Sequence, residues 1–130
     1  MIVSALALMA GTSERNLVIS PPSLVGNWAA EIRKHTRNCK VIALQTVAET
    51  AEFDFSASVR NVYLISSVIL RMTFANYPNC KLFKFKFYRC ILDEGHQVCK
   101  PTTALYKSSI QIVCTYRWLL TGISAPILMY

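Results

Sequence analysis

Short, unbroken apolar runs recur along the chain: Leu17-Val18-Ile19-Ser20, Val41-Ile42-Ala43-Leu44, Val62-Tyr63-Leu64-Ile65, Cys90-Ile91-Leu92 and Trp118-Leu119-Leu120. Continuous apolar runs of this length are what strands buried on both faces look like. Pro21-Pro22 stops the first run, and Thr121-Gly122 follows the last. Between them the period changes. Leu24, Trp28 and Ile32 share one helical face, with Val25 and Ala29 beside them, which predicts a helix from Leu24 to His35 with Ser23 as its cap. Leu105, Ile110, Val113 and Cys114 predict a second helix from Thr103 to Thr115, capped by Thr102 or Thr103 after Pro101. Phe83-Lys84-Phe85-Lys86-Phe87 alternates strictly, so it reads as a strand with an aromatic face and a cationic face. Its bland interpretation is an edge strand guarded by lysines, favoured because three rings on one short face usually pack. The rival is a basic, aromatic contact for nucleic acid.

Strands alternating with helices predict an α/β fold with a mostly parallel sheet covered on both faces. At 130 residues the chain is at most one domain, taken as a single unit over 1–130. Apolar residues make up 53% of it, and the mean hydropathy is +0.34. That is high for a small domain and suits either a doubly covered sheet or a lobe whose surface another piece covers. Fourteen Lys and Arg against seven Asp and Glu give a net charge of +7. A basic balance favours polyanions such as nucleic acid, although a charged solubilising surface fits equally well. The five cysteines form no CxxC pair, so zinc-ligand spacing is absent and scattered reduced thiols are the expectation. Cys90 falls in a strand, as a small core residue. Ile2 to Ala10 is apolar, but no Lys or Arg precedes it and it is too short to cross a bilayer. A buried helix is expected there, with a cleaved secretion signal as the alternative.

The strongest chemical signal is Arg89-Cys90-Ile91-Leu92-Asp93-Glu94-Gly95-His96. An apolar strand ending in two acids, then Gly-His, is the layout of a Walker B strand. In a nucleotide hydrolase the first acid holds Mg²⁺, usually through water, and the second polarises the attacking water. Adjacent strand residues point to opposite sides, so neighbouring acids can serve different partners. An isolated Asp-Glu pair, by contrast, often marks only a solvated loop.

Four segments in order resemble the first RecA-like lobe of the Swi/Snf-type helicase-like ATPases of superfamily two. Leu17 to Trp28, with Glu31-Ile32, is similar to motif Ia; Val62 to Ser66 with Leu70-Arg71 to the next strand and its helix; Phe87 to His96 to motif II in its DEGH form; Arg117 to Gly122 to the start of motif III. The DEGH form is nearest to the RING-containing helicase-like transcription factors and their repair relatives. The resemblance implies a RecA-like three-layer sandwich, ATP and Mg²⁺ as cofactors, double-stranded DNA or chromatin as partner, a second ATPase lobe, and a nuclear location.

It also implies site residues. Asp93 would hold Mg²⁺ through water, Glu94 would act on the hydrolytic water, and His96 would couple to the neighbouring lobe. Thr121 and Gly122 would sense the nucleotide. Pro22, Ser23, Ser66 and Arg71 would face nucleic acid, with Ser23 beside a helix N-terminus that can hold a phosphate. The bland alternatives are a capping Ser23, a core Trp28, and Arg33, Lys34, Arg37 and Lys40 complementing a helix C-terminus.

Two departures matter. The family's Thr-Gly-Thr-Pro is replaced by Thr121-Gly122-Ile123-Ser124-Ala125-Pro126, and Cys99-Lys100-Pro101 stands where a basic residue and Asn-Pro are usual. No glycine-rich loop ending in Gly-Lys-Thr or Gly-Lys-Ser occurs in the 130 residues. The expectation is therefore a partial lobe without the P-loop strand, leaving a gap in the sheet, poorly soluble and unable to turn over ATP alone. The alternative is a non-catalytic DNA-binding or regulatory remnant.

Overall fold

The structure is a computed structural model; it describes residues 15–35, 40–57, 61–93, 102–120 and 127–129. A six-stranded sheet forms the middle layer, in the order β2-β3-β1-β4-β5-β6. Its strands are β1 (Asn16–Ser20), β2 (Lys40–Leu44), β3 (Asn61–Ser66), β4 (Lys86–Asp93), β5 (Val113–Leu120) and β6 (Ile127–Met129). The first five run parallel, and β6 lies antiparallel on β5. Each of the five apolar runs is a strand, as predicted. Neighbouring strands are hydrogen-bonded throughout, so the expected gap is not seen among the described strands; β6, which the sequence reading did not anticipate, extends the sheet beyond β5.

Alternation along each strand sorts the apolar side chains into two cores. Leu17, Ile19, Tyr63, Ile65, Leu92 and Leu119 point to one face. Val18, Val62, Leu64, Ile91 and Leu120 point to the other. Period-2 alternation of an all-apolar strand puts hydrocarbon on both faces, so both must be covered. Helix α1 (Val25–His35) covers the second face with Trp28, Ala29 and Ile32. Helices α2 (Val47–Glu52), α3 (Ser67–Asn76) and α4 (Ala104–Ser109) are shorter. Ile69, Leu70 and Phe74 of α3, with Leu105 and Tyr106 of α4, pack into the first core. The result is the expected three-layer α/β sandwich.

Local chemistry sets the helix starts. Thr46, Ser66 and Thr103 have extended backbones, and each side-chain oxygen accepts from an N–H three residues on, at 3.1, 3.1 and 3.2 Å. That satisfies one of the donors a helix start leaves open. The entry to α1 differs from expectation. A single 3₁₀ turn, Pro22–Leu24, precedes it, closed by Leu24 N–H donating to Pro21 O at 2.9 Å with no side-chain cap. Ser23 is therefore not the cap; it lies inside the turn, exposed. The proline at the first position explains this, because its ring presets a helical φ and it has no N–H to satisfy.

Two further expectations are corrected. The second helix ends at Ser109, and Val113 and Cys114, taken as helical, open β5. Ile110 and Val113 are 46% and 43% exposed, so they form no buried helical face. Phe83–Phe87 is not an edge strand either. Lys81–Phe83 is a 3₁₀ turn, and only Lys86 and Phe87 belong to β4, which lies inside the sheet between β1 and β5. The rings do pack, as the bland interpretation required. Phe53, Phe55, Tyr63, Phe85 and Phe87 make tilted and edge-to-face contacts with centroids 4.9–5.9 Å apart. The helix expected over Ile2 to Ala10 lies outside the described residues.

Candidate functional site

In a parallel sheet every strand ends at the same edge, and the helices that follow start there. Here that carboxyl edge gathers the predicted residues that are described. Ser20 and Ser66 are register partners at the ends of β1 and β3. Ile19 pairs with Leu92, so Asp93 follows beside the end of β1. Asp93 pairs in turn with Leu120 at the end of β5. Pro22 and Ser23 follow β1 and are exposed. Glu94, His96, Thr121 and Gly122 lie outside the described residues.

Asp93 is half-buried. Its Oδ2 accepts from Trp28 Nε1–H at 2.8 Å, a bond between residues 65 apart in the chain. Trp28 is 0% exposed, its ring buried among Val18, Ile32, Leu64 and Ile91. A buried indole N–H needs an acceptor, and here α1 delivers it to a carboxylate rather than to a backbone oxygen. The core assignment for Trp28 is correct, but its polar end reaches Asp93, the last residue of β4. The sequence gives only an indirect sign of this, a tryptophan on a buried helical face.

The hydroxyl of Ser66 is occupied by the Ile69 N–H of α3, so its described role is that of a cap. Arg71, one turn into α3, is exposed and donates from Nε to Ser67 O at 3.4 Å. With Ser67, Thr103, Ala104 and Leu105 it lines a shallow pocket of about 250 Å³ between the starts of α3 and α4. The structure thus brings Ser66, Arg71, Pro22, Ser23 and Asp93 to one edge of the sheet.

Other polar groups support the frame. Arg117 donates to Ser109 O and Ile112 O at 2.5 and 2.6 Å, tying the exit of α4 to β5. The guanidinium of Arg89 lies over Tyr88 and Trp118, and its Nη1 donates to Asn16 Oδ1 at 3.3 Å. The Cys90 and Cys114 thiols are in hydrogen-bond contact. That contact, with Arg117 nearby, lowers Cys114 to about 7 against the opposing effect of burial. The same contact and full burial push Cys90 well up.

A profile of the SNF2-related domain matches residues 2–127. The chain belongs to the SNF2-related domain family. Among its relatives is DNA repair protein RAD5 of Kluyveromyces lactis, 24% identical over 110 residues, which cover 82% of this chain and 10% of that protein. Helicase-like transcription factor of Mus musculus is 28% identical over 116 residues, 85% of this chain and 12% of the relative. The chain thus spans about a tenth of the length of these curated relatives. A solved structure, the Sulfolobus solfataricus SWI2/SNF2 ATPase core in complex with dsDNA, superposes with a TM-score of 0.70 at 19% identity, covering 95% of this chain and 24% of that one. That likeness establishes the fold, the RecA-like sandwich. Among the described residues no helix is long and apolar enough to cross a membrane.

Proposed function

We propose that this chain is part of the first ATPase lobe of a DNA-dependent, Swi/Snf-type ATPase, acting on double-stranded DNA or chromatin in the nucleus, with a second lobe as partner. The observation that carries this is the placement of Asp93 at the carboxyl edge of an interior strand, beside the turn at Pro22–Leu24 and the start of α3. The names of its relatives, in DNA repair and transcription, point the same way.

The residues fit the family's cofactors. No cluster of three or more metal-ligating side chains occurs among the described residues. One edge carboxylate suits Mg²⁺, which keeps several waters and takes its other contacts from nucleotide phosphates. When bound with ATP, the ion would neutralise charge on the phosphate being transferred. Asp93 would hold its water shell, Glu94 would orient the attacking water, and His96 would link this edge to the second lobe. Thr121 and Gly122 would sense whether nucleotide is present. The Ser23 N–H and hydroxyl beside Pro22, the start of α3 after Ser66, and Arg71 would hold phosphates of a duplex.

The 130 residues contain no Gly-Lys-Thr or Gly-Lys-Ser cradle, so this polypeptide alone is expected not to turn over ATP. Duplex binding with salt-sensitive affinity, altered by Mg²⁺-ATP, supports the ATPase-lobe reading. Duplex binding indifferent to nucleotide supports the rival, a DNA-binding or regulatory remnant. No duplex binding in low salt contradicts both. Strong DNA-stimulated phosphate release, abolished by Glu94→Gln, would show that the chain is a working enzyme alone.

A further inference from the structure

Helix α1 touches both halves of the proposed site. Pro22 and Ser23 of its entry turn are exposed at the carboxyl edge, while Leu24 is half-buried against the core. Four residues after that turn, Trp28 is fully buried and donates to Asp93 Oδ2 at 2.8 Å. At 1.5 Å of rise per residue, Ser23 and Trp28 lie only about 8 Å apart along the axis. Few soft torsions separate a contact at Ser23 from the indole N–H. The bond itself is short, directed and made to a carboxylate, the kind whose strength depends steeply on alignment. The ring shares a buried cluster with Ile32 of its own helix and with Val18, Leu64, Ile91 and Leu120 of the sheet, so little slack is left in how its N–H meets Asp93.

We propose that Trp28 is a positioning residue for Asp93, and that it relays occupancy of the Pro22–Ser23 edge by duplex DNA to the carboxylate that faces Mg²⁺. This inference rests on the ATPase-lobe reading and adds a regulatory route to it. A phosphate docked at the entry turn draws α1 toward the edge. Nε1 then shifts against Oδ2, which changes how the carboxylate is held and how readily it accepts a water of the metal shell. A tryptophan that only fills the core requires none of this. The hydrocarbon contacts of the ring would be the same whichever acceptor its N–H found.

The test uses the whole chain with ¹⁵N-labelled tryptophan. There are two tryptophans, so the spectrum shows Trp28 and an internal control, Trp118. Asp93→Asn identifies the bond, by moving the Trp28 indole resonance and leaving that of Trp118 in place. Mg²⁺ and a short duplex are then titrated separately and together, with duplex binding followed in parallel by fluorescence anisotropy. The expected result is that bound duplex shifts the Trp28 indole and moves the Mg²⁺ midpoint read there by about fivefold, the lower end of coupling between sites. In Trp28→Phe, which keeps most of the ring and loses the N–H, duplex binds as before. The Mg²⁺ midpoint, read at the Asp93 amide, then no longer responds to duplex.

Bound duplex with an unmoved Trp28 indole overturns the relay and leaves the DNA-binding reading standing. So does a Trp28→Phe chain that keeps the fivefold dependence. Absence of duplex binding in the anisotropy arm overturns both together. The indole arm is read in the unmodified chain, so it decides the matter even where Trp28→Phe fails to fold.

Discussion

The two edges of the sheet are built differently. At the amino edge, polar groups and rings satisfy one another. Arg15 lies over the Phe85 ring at 5.3 Å and donates to Ser56 O at 3.3 Å. Asp54 accepts from both the hydroxyl and the backbone N–H of Ser56, which, with Lys81 nearby, lowers its carboxyl below the ordinary value. Beneath them the Phe55, Tyr63, Phe85 and Phe87 rings close the sheet. At the carboxyl edge the helices begin, Pro22 and Ser23 stand exposed, and Asp93 meets the indole of Trp28. The amino edge also has conspicuous positive charge, from Lys81 and Lys84, which line a pocket of about 390 Å³, and from Arg15 over the Phe85 ring. The lesson is that charge density alone does not mark a site. In a parallel sheet the helix starts, and the acids that end strands, converge on the other edge.

If the amino edge is a structural seal, its rings should carry stability. Phe55→Ala, at a residue 1% exposed, is expected to cost about 3–5 kcal/mol, which in a small domain is enough to abolish the cooperative urea transition. A loss under about 1 kcal/mol, the size of a surface change, would contradict the seal. Next in size is the electrostatic contrast. Arg71→Glu at the carboxyl edge should lower the salt slope of duplex binding by about one, with thermal stability nearly unchanged. Lys84→Glu at the amino edge should leave that slope in place, and equal effects from the two would erase the distinction.

Helix starts at the carboxyl edge give a smaller, purely structural effect. Thr103→Ala removes the cap whose oxygen accepts from Tyr106 N–H, and should cost about 1 kcal/mol in urea unfolding. Ser23→Ala, where no cap exists, should cost much less, and any effect it has should appear in duplex affinity instead. The smallest expected signal is in thiol chemistry between β4 and β5. The Cys114 pKa is lowered, so its thiolate fraction rises as pH climbs through about 7. Alkylation at Cys114 should follow that rise, while Cys90, buried and pushed upward, stays unreactive. Cys114→Ser should remove the fast phase, and a fast phase titrating at the ordinary thiol value would contradict the thiol contact.

Much of this architecture was legible in the residues. The five apolar runs became five parallel strands because a doubly covered sheet leaves polar residues few places inside it. Asp93 could be placed because an acid directly after such a run must sit at a strand end. What failed, failed for local reasons. Val113 and Cys114 fit a helical period by coincidence, since a short apolar stretch satisfies both periods, and pairing of Val113 with Lys86 decided for strand. The Phe-Lys alternation looked like an edge strand, but its rings were claimed by Phe55 and Tyr63, residues distant in sequence. Ser23 looked like a cap, but Pro22 had already started the turn. The Trp28–Asp93 bond was invisible, because a contact across 65 residues leaves no periodic trace.

The most direct test of the central claim, that the carboxyl edge is the functional one, is a map of backbone amide shifts in the ¹⁵N-labelled chain on addition of a short duplex. The account predicts that the largest changes collect at Ser23, Leu24, Ser67, Arg71 and Asp93, with Lys81, Lys84 and Phe85 nearly still. A map centred on Arg15, Lys81, Lys84 and Phe85, with Ser23 and Arg71 unmoved, would contradict it.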